Sequence, residues 1–306
     1  MNPYLNINRL EFILTQRCTG RCRHCSAGEM VAHPQGTHVP EAASVRAVRE
    51  LAEMYEMQSV MTFGGEPLLY PEVTCAIHRA AMECGIPKRQ LITNGFFSRD
   101  EGRIRKVAQA LADAGVNDLL ISVDAFHQES IPLTPVRTFA LAAKDAGVQV
   151  RFSPAWVVNE GFDCPENSRT REVLAALADT GIPVGSGNDI FLAGSAIDNL
   201  CHYYPPAQLN MADCCGSMPY TEPLTNQSSL SIEPDGNVTV CGFVVGNICR
   251  EGMAEITARY DPFADEGMRA AAEGVPGLLA LAEKRGIKVD LSRCYAVCDL
   301  CRIVNK

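Results

Sequence analysis

The sequence has no apolar run long enough to cross a membrane and no recognisable export signal. A membrane-spanning helix needs about 20 consecutive apolar residues, and no segment of the chain approaches that length. The first seven residues lack the basic region and apolar core of a signal peptide. Internal repeats and low-complexity stretches are also absent. These absences predict a cytoplasmic protein that does not associate with membranes.

Basic residues are also in short supply. The 306 residues include 27 Lys and Arg against 36 Asp and Glu, a formal net charge of −9. Because nucleic acid phosphates require a basic face on a binding protein, we do not expect nucleic acid as a partner. An acidic surface keeps a cytosolic protein soluble, and it would also suit a polycationic substrate. The sequence leaves both explanations of the charge open.

Cysteine, in contrast, is abundant. In a reducing compartment, 14 cysteines favour metal ligation and thiol chemistry over a disulfide framework. Three of them, Cys18, Cys22 and Cys25, have the spacing C-x3-C-x2-C directly after an apolar segment, and no further cysteine comes before Cys75. An iron–sulfur cubane normally takes four thiolates. The loop therefore predicts a cubane whose fourth iron is open to an outside ligand.

A zinc site is the alternative for this loop, with His24 or His33 as a fourth ligand. Zinc does not explain a second motif, Gly64-Gly65-Glu66-Pro67, which follows the next apolar run. Together the two motifs resemble the radical SAM superfamily. The resemblance implies that the three cysteines hold a [4Fe-4S] cluster, that S-adenosylmethionine binds the open iron, and that Gly64, Gly65 and Glu66 hold the amino group of S-adenosylmethionine.

Strand-like runs alternate with helical patterns through the first two thirds of the chain, which is typical of βα units around a parallel sheet. The predicted strands are 10–15, 60–63, 90–93, 118–123, 149–153 and 184–191, the last broken by Gly185 and Gly187. The predicted helices are 41–55, 71–84, 101–114, 135–146 and 168–180. The fold class is therefore α/β. The resemblance implies a partial (β/α)6 TIM-type barrel, in which reactive groups gather at the carboxyl ends of the strands.

Three polar residues on the later strands are further candidates for binding S-adenosylmethionine. Ser122 and Asp124 would contact ribose or substrate hydroxyls, and the guanidinium of Arg151 would bind the methionyl carboxylate. Ordinary polar strand ends explain the three residues equally well. Two departures from the family pattern are visible: His24 stands where an aromatic residue is usual, and Leu192-Ala-Gly-Ser-Ala stands where relatives often have Gly-Arg-Ala.

The sequence changes character near residue 197, so we divide it into a barrel, 1–197, and a small α+β domain, 198–306. The second part shows a hairpin pattern over 229–241 and a late cluster of cysteines. It resembles the twitch module, a truncated relative of SPASM that carries an auxiliary [4Fe-4S] cluster. The ligands implied by this resemblance are Cys215, Cys241, Cys298 and Cys301, with Cys214 and Cys294 as competitors for one position. A fully ligated cluster would move electrons.

Cys249 lies just beyond the hairpin in sequence, and we predict that it lies close to the auxiliary cluster. There its thiol could return hydrogen to a substrate radical, and the cluster could help to restore the thiol. Cys164, in a loop after the fifth strand, is a second candidate donor. A buried structural thiol or a spare cluster ligand is the alternative explanation of Cys249.

The short amino-terminal segment before the first strand leaves no room for the leader-binding domain of peptide-modifying relatives. The combination of a barrel with a short auxiliary module instead resembles the aminoglycoside-tailoring branch of the superfamily, and it resembles the epimerases of that branch most of all. This implies an epimerase acting on an aminoglycoside, with electrons from a flavodoxin- or ferredoxin-type donor. Asp124, Asp189 and Glu222 are then candidates for binding substrate ammonium groups. The alternatives are an aminocyclitol dehydrogenase, a peptide-modifying radical SAM enzyme and a non-catalytic electron carrier.

Overall fold

The computed structural model describes residues 2–34, 37–218 and 220–305. Within these residues the strands, numbered in chain order, are β1 (Leu5–Thr15), β2 (Ser59–Gly64), β3 (Lys88–Thr93), β4 (Asp118–Ser122), β5 (Val150–Ser153), β6 (Ala155–Trp156), β7 (Asn188–Asp189), β8 (Gln227–Ile232), β9 (Asn237–Val240) and β10 (Phe243–Asn247). Eight of them form one sheet in the order β10-β9-β8-β1-β2-β3-β4-β5, and β6 pairs with β7. Strands β1 to β5 and β8 are parallel, whereas β9 and β10 are antiparallel.

The α-helices are α1 (Glu29–Ala32), α2 (Glu41–Met54), α3 (Pro71–Glu83), α4 (Glu101–Asp113), α5 (Leu133–Asp145), α6 (Pro165–Ala175), α7 (Ser195–Leu200), α8 (Met253–Ala258), α9 (Glu266–Ala272), α10 (Val275–Arg285) and α11 (Val297–Val304). Helices α2 to α5 connect consecutive parallel strands. Helices α8 to α11 follow the hairpin. The fold class is therefore α/β with a parallel sheet, as the sequence predicts. No helix in the described ranges is both long and apolar enough to cross a bilayer.

Strand β1 shows why the two faces of the sheet differ. Leu10, Phe12 and Leu14 are fully buried in the core against the helices. Because side chains alternate along a strand, Arg9 and Glu11 point to the opposite face, the inner wall of the barrel. The helix-facing side is therefore the hydrophobic core, and the inner wall is free to carry polar groups.

The first five predicted strands form, with ends shifted by a few residues. The sixth, predicted over 184–191, is reduced to one parallel bridge between Val184 and Phe152 and to the two-residue strand β7. Gly187 explains the interruption, since it has φ +71° and a Cβ there would lie 2.2 Å from the carbonyl oxygen of Pro154. Such a backbone conformation does not continue a strand.

The predicted hairpin forms as β8 and β9, and it joins the main sheet. Strand β8 pairs in parallel with β1, with Ile232 opposite Phe12. The sheet thus continues across the boundary proposed near residue 197, and Val238 and Leu278 share one core cluster with Leu10. The division into two domains stays a prediction.

Candidate active site

The three-cysteine loop begins three residues beyond the carboxyl end of β1. Cys18, Cys22 and Cys25 line one cavity of about 180 Å³, together with Ser195 and Asn199. The loop is shaped by its own backbone, because the amide of Cys25 donates to the carbonyl of Cys22 at 3.1 Å. From outside, the amide of Ser195 donates to the carbonyl of Cys25 at 3.0 Å. The sulfur of Cys18 accepts from the amide of Gly20 at 3.3 Å.

This donor set fits a cubane with one open iron. The three thiols are free and face a common space, and a Cβ at Gly20 would lie 3.3 Å from the Cys22 sulfur and 3.7 Å from the Cys18 sulfur. Glycine therefore keeps the space between two of the thiols clear. Another group of possible ligands overlaps this one: Cys22, His24 and His127 have ligand atoms within 4.8 Å of one another. That group uses only one of the three thiols.

The Gly64-Gly65 turn holds the segment that enters the loop. The amide of Gly65 donates to Thr15 and that of Glu66 to Arg17, both at 2.7 Å. A Cβ at Gly65 would lie 2.1 Å from the carbonyl oxygen of Arg17, so only glycine allows this approach. The two glycines thus fix where the cysteine loop starts.

Glu66 is not among the residues that line the three-thiol cavity. It is fully buried and accepts from the amide of Leu68 at 2.9 Å, the hydroxyl of Thr93 at 2.6 Å and the amide of Asn94 at 2.9 Å. Burial raises the pKa of Glu66 to about 7. These bonds hold the carboxylate against β3, and its contact with the amino group of S-adenosylmethionine stays a prediction.

The structure separates the other three candidates for binding S-adenosylmethionine. Ser122 is half-buried at the carboxyl end of β4, opposite Ser153. Asp124 is fully buried. Its carboxylate accepts hydrogen bonds from the amides of Phe126, His127 and Ala155 and from the ring of His127. Arg151 pairs with Asp118, the first residue of β4, at 2.8 Å. Arg151 therefore points toward the amino ends of the strands, and Asp124 has no free face for ribose, substrate hydroxyls or ammonium.

The profile of the Radical SAM superfamily matches residues 12–194, a segment that includes the three cysteines and the Gly64-Gly65 turn. The chain belongs to the radical SAM superfamily. Proteins of this superfamily use a [4Fe-4S] cluster and S-adenosylmethionine. Cys18, Cys22 and Cys25 are the residues that fit such a cluster.

Curated relatives of this radical SAM protein include two GTP 3',8-cyclases. The one from Limosilactobacillus fermentum is 32% identical over 117 residues, 38% of this chain and 33% of the relative. The one from Erythrobacter litoralis is 26% identical over 251 residues, 72% of this chain and 73% of the relative. The chain thus spans a third of the length of the first relative.

Two solved structures were compared with this radical SAM protein, and the first of them has the same fold. A structure of native anSMEcpe with bound AdoMet has a TM-score of 0.53 at 14% identity and covers 82% of this chain and 80% of that chain. A structure of BtrN in complex with AdoMet and 2-DOIA has a TM-score of 0.49 at 18% identity and covers 94% of this chain and 92% of that chain.

A second cavity of about 310 Å³ is lined by four thiols, those of Cys215, Cys241, Cys298 and Cys301. A hydrogen bond from Cys215 lowers the pKa of the Cys241 thiol to about 7. The two competing cysteines are not among the lining residues. Cys214 is exposed, with its sulfur 3.6 Å from the Ser217 hydroxyl, and the thiol of the buried Cys294 donates to the carbonyl of Asp290 at 3.6 Å. The geometry therefore favours Cys215.

A short segment separates the two thiol cavities of this radical SAM protein. Phe191, Leu192 and Ala193 line the four-thiol cavity, whereas Ser195 lines the three-thiol cavity. Consecutive Cα atoms are about 3.8 Å apart, so the two linings come within a few residues of each other. The two cavities are therefore lined by neighbouring parts of the same segment, 191–195.

Cys249 does not lie at the four-thiol cavity, which corrects the prediction that it lies there. It is exposed and packs on the β8–β9 turn, where a Cβ at Gly236 would lie 3.0 Å from its sulfur. Strand β9 leads from Gly236 to Cys241 over five residues, a distance of about 17 Å at about 3.3 Å per residue. Because β10 runs antiparallel to β9, Cys241 and Cys249 lie at opposite ends of the β9–β10 hairpin. Cys164, the other candidate donor, is buried.

The acidic candidates are also spread out. Asp189 is exposed on β7, and the carboxylate of Glu222 accepts from the amide of Ser228 at 2.7 Å. Sequence reasoning missed Glu11, whose pKa is raised mainly by burial and also by the charge of Glu222. It also missed His127, which has a ring nitrogen within 4.8 Å of the Cys22 sulfur. The signal for His127 was its place three residues after Asp124 at a strand end.

Proposed function

We propose that this radical SAM protein is an epimerase that inverts one carbon of an aminoglycoside, converting neomycin C to neomycin B. The observation that carries the proposal is the state of Cys249. Its thiol is exposed, so it is not a core residue, and it is not among the residues that line either thiol cavity, so it is not a spare ligand. Hydrogen return to a carbon radical requires a free thiol that the substrate can reach. The β8–β9 turn on which Cys249 packs follows the carboxyl end of β8, and this is the same end of the sheet from which the cysteine loop leaves β1.

In this proposal Cys18, Cys22 and Cys25 hold the cluster that binds S-adenosylmethionine, and Cys215, Cys241, Cys298 and Cys301 hold a second [4Fe-4S] cluster. When bound, the first cluster and S-adenosylmethionine supply a radical that removes hydrogen from an unactivated carbon. The S–H bond of Cys249 then breaks and a new C–H bond forms on the opposite face of that carbon. One electron and one proton restore the Cys249 thiol, and the electron comes from an external donor of the flavodoxin or ferredoxin type.

Charge supports a polycationic substrate. The chain carries a net charge of −9, and Arg9 on the inner wall is paired with Glu11 at 2.6 Å. Arg151 is likewise paired with Asp118. Both of these cations are therefore paired with acidic neighbours. Glu11, Glu222 and Asp189 are the carboxylates proposed to meet ammonium groups.

One observation favours a second function, oxidation of an aminocyclitol alcohol to a ketone. Cys249 lies about 17 Å along the hairpin from Cys241, whereas the segment 191–193 brings the four-thiol cavity next to the three-cysteine loop. In a dehydrogenase the substrate radical loses an electron to the second cluster and a proton to solvent, and no thiol donor is needed. The two functions differ in the mass of the product.

The test is an anaerobic reaction of the cluster-loaded protein with neomycin C, S-adenosylmethionine and a strong reductant in deuterium oxide. We expect an inverted sugar carbon with a mass gain of about one unit, since a thiol exchanges its hydrogen with solvent. A product about two units lighter identifies the dehydrogenase instead. GTP in place of neomycin C tests the activity named for the relatives, and its conversion would overturn the epimerase proposal.

The variant Cys249→Ala tests whether Cys249 is the hydrogen donor. We expect this variant to form 5'-deoxyadenosine but to lose inversion by about a hundredfold or more, the least that a positioned proton-transfer group typically contributes. Cys214→Ala is the matched control, because Cys214 is the other exposed cysteine outside both cavities. Unchanged inversion in Cys249→Ala would show that hydrogen comes from elsewhere.

A further inference from the structure

The side chain of Asn94 connects the end of β3 to the cysteine loop. Asn94 follows directly after β3, and it is buried. Its backbone amide donates to the carboxylate of Glu66 at 2.9 Å. Its side-chain nitrogen, Nδ2, lies 3.1 Å from the hydroxyl of Thr19 and 3.5 Å from the sulfur of Cys18. The loop that carries the three cysteines is therefore in contact with a polar side chain from another strand end.

The neighbouring hydrogen bonds decide which way the Asn94 amide is turned. Its oxygen, Oδ1, accepts from the backbone amide of Phe96 at 2.8 Å. A backbone amide donates and does not accept, so the atom that meets it is the oxygen, and the NH2 group points the other way. The hydroxyl of Thr19 donates to the carbonyl of Phe96 at 2.8 Å and is left to accept from Nδ2. The two hydrogens of Nδ2 thus have two acceptors, the Thr19 oxygen and the Cys18 sulfur.

The Cys18 sulfur can accept this bond when it binds iron. A cysteine that ligates a metal is a thiolate, which has no hydrogen to donate. The backbone amide of Gly20 is another donor to the same sulfur, at 3.3 Å. That bond belongs to the loop itself, whereas the bond from Asn94 depends on one side chain. Because a side-chain amide does not titrate, Asn94 donates without any change in its protonation state.

We propose that Asn94 donates a hydrogen bond to the sulfur of Cys18 and so raises the reduction potential of the cluster that binds S-adenosylmethionine. Hydrogen bonds to the sulfurs are among the factors that set the potential of an iron–sulfur cluster. The reduced cluster carries one more negative charge than the oxidised cluster, and an N–H donor stabilises that charge. The inference rests on Cys18 as a cluster ligand, and it holds whichever substrate the protein uses.

The first experiment compares cluster potentials in the full chain. Asn94→Leu removes the donor and keeps a side chain of similar size. Asn117→Leu is the matched control, because Asn117 lies directly before β4, at the opposite end of the parallel strands, and bonds to Arg89 and Pro87. The potential is measured by anaerobic redox titration followed by electron paramagnetic resonance. The change of the signal on adding S-adenosylmethionine identifies the cluster, and iron and sulfide are counted for every protein.

We expect Asn94→Leu to lower the potential of this cluster at unchanged iron content, and Asn117→Leu to leave the potential where it is. A potential in Asn94→Leu equal to that of the unaltered protein would overturn the proposal. The same holds for a potential that Asn117→Leu lowers as much as Asn94→Leu does, since the shift would then come from a general loosening of the sheet.

A second experiment detects the bond itself, which a merely structural role of Asn94 would not produce. Asparagine carrying the heavy nitrogen isotope in its side-chain amide is incorporated, and the reduced cluster is studied by pulsed electron paramagnetic resonance. We expect a nitrogen coupling in the unaltered protein and in Asn117→Leu. Asn94→Asp keeps an oxygen for the amide of Phe96 but has no side-chain nitrogen, so this coupling should be lost. Its absence from the unaltered protein, or its persistence in Asn94→Asp, would overturn the proposal.

Asn94→Asp also decides the case in which Asn94→Leu takes up no iron. Loss of the coupling together with a lower potential in Asn94→Asp then supports the proposal, and the failure of either result overturns it. Loss of iron in both variants would show that Asn94 is needed to build the cysteine loop, and it would likewise overturn the proposed effect on the potential.

Discussion

At the scale of single residues, buried carboxylates act as anchors for the turns that follow strands. Glu66 accepts three hydrogen bonds, from Leu68, Thr93 and Asn94. Two of the donors are backbone amides of segments that follow β2 and β3. Asn94 in turn reaches the cysteine loop, where its side-chain amide lies 3.5 Å from the Cys18 sulfur. Glu66 therefore supports the loop through its neighbours.

We expect Glu66→Gln to destabilise the fold by about 1–3 kcal/mol, the usual cost of leaving a buried donor unsatisfied. A glutamine can keep one accepting oxygen for Leu68 and Thr93, but its NH2 group then faces the amide of Asn94. The measurement is urea unfolding of the reduced, metal-free protein. Glu53→Gln, at an exposed position of α2, should unfold at the same urea concentration as the unaltered protein. Equal midpoints for both variants would contradict this account of Glu66.

Single residues also show what a sequence can and cannot tell. The spacing of Cys18, Cys22 and Cys25 indicates a shared site, since two short turns of chain cannot separate the thiols widely. Glu66 and Asp124 also follow strands, and sequence reasoning gave both a ligand to bind. A carboxylate at a strand end needs donors, but the sequence does not say whether a ligand or the adjacent turn provides them. In both cases the turn does.

At the scale of elements, a histidine connects α3 to β2. His78 on α3 and Thr62 on β2 are both fully buried, and Nε2 of His78 lies 2.8 Å from the Thr62 hydroxyl. The other ring nitrogen has no partner among the described residues. Burial lowers the pKa of His78 to about 3. The packing of this helix therefore requires a neutral imidazole.

We expect a pH-dependent stability from His78. An unfolded histidine has a pKa near 6.5, so below about that pH the unfolded state takes up a proton that the folded state refuses. Stability is then fully present above pH 6.5 and is lost as the pH falls toward about 3, by up to about 1.4 kcal/mol per pH unit. Urea unfolding at pH 7, 6 and 5 measures the slope. His78→Gln should reduce it, whereas His33→Gln, at an exposed position, should not. Equal slopes for all three proteins would count against the buried neutral histidine.

Elements differ in how well their sequence predicts them. Strands β1 to β4 each contain a short stretch rich in apolar residues, and their predicted positions hold because this local pattern decides them. The sixth predicted strand depends on Gly185 and Gly187, whose backbone cannot be read from hydropathy. The parallel pairing of β8 with β1 brings together residues more than 200 positions apart. Such a pairing depends on the whole core, and the local sequence around 227–232 predicts only a hairpin.

At the scale of the whole molecule, the barrel and the cysteine-rich segment share one sheet and one core. Strand β1 has β2 on one side and β8 on the other. On the helix-facing side, Leu10 and Phe12 belong to the same buried cluster as residues from the carboxyl-terminal segment, namely Leu230, Ile232, Val238, Val240, Leu278 and Leu300. The residues that line the two thiol cavities therefore belong to one continuous structure.

This continuity leads to an expectation for a shortened chain. A fragment of residues 1–197 would leave β1 as an open strand edge and expose Leu10 and Phe12 on their helix-facing side. Unpaired, apolar edge strands promote aggregation, and burial of one large apolar side chain is worth about 1.5–3 kcal/mol. Several such losses exceed the few kcal/mol by which a typical domain is stable. We expect the fragment alone to aggregate or to unfold without a cooperative transition, as followed by circular dichroism.

The control produces the fragment 1–197 together with the rest of the chain, 198–306, as two separate polypeptides. Co-expression of 1–197 with 198–306 should give a complex that purifies together, because β8 can then pair with β1 and α10 can cover the core. The complex should bind iron at both groups of cysteines, whereas 1–197 alone should bind none in a folded state. If 1–197 alone unfolds cooperatively and takes up iron at Cys18, Cys22 and Cys25, the barrel is an independent domain. The division near residue 197 would then be a boundary of folding, and the shared sheet would be an interface between two stable units.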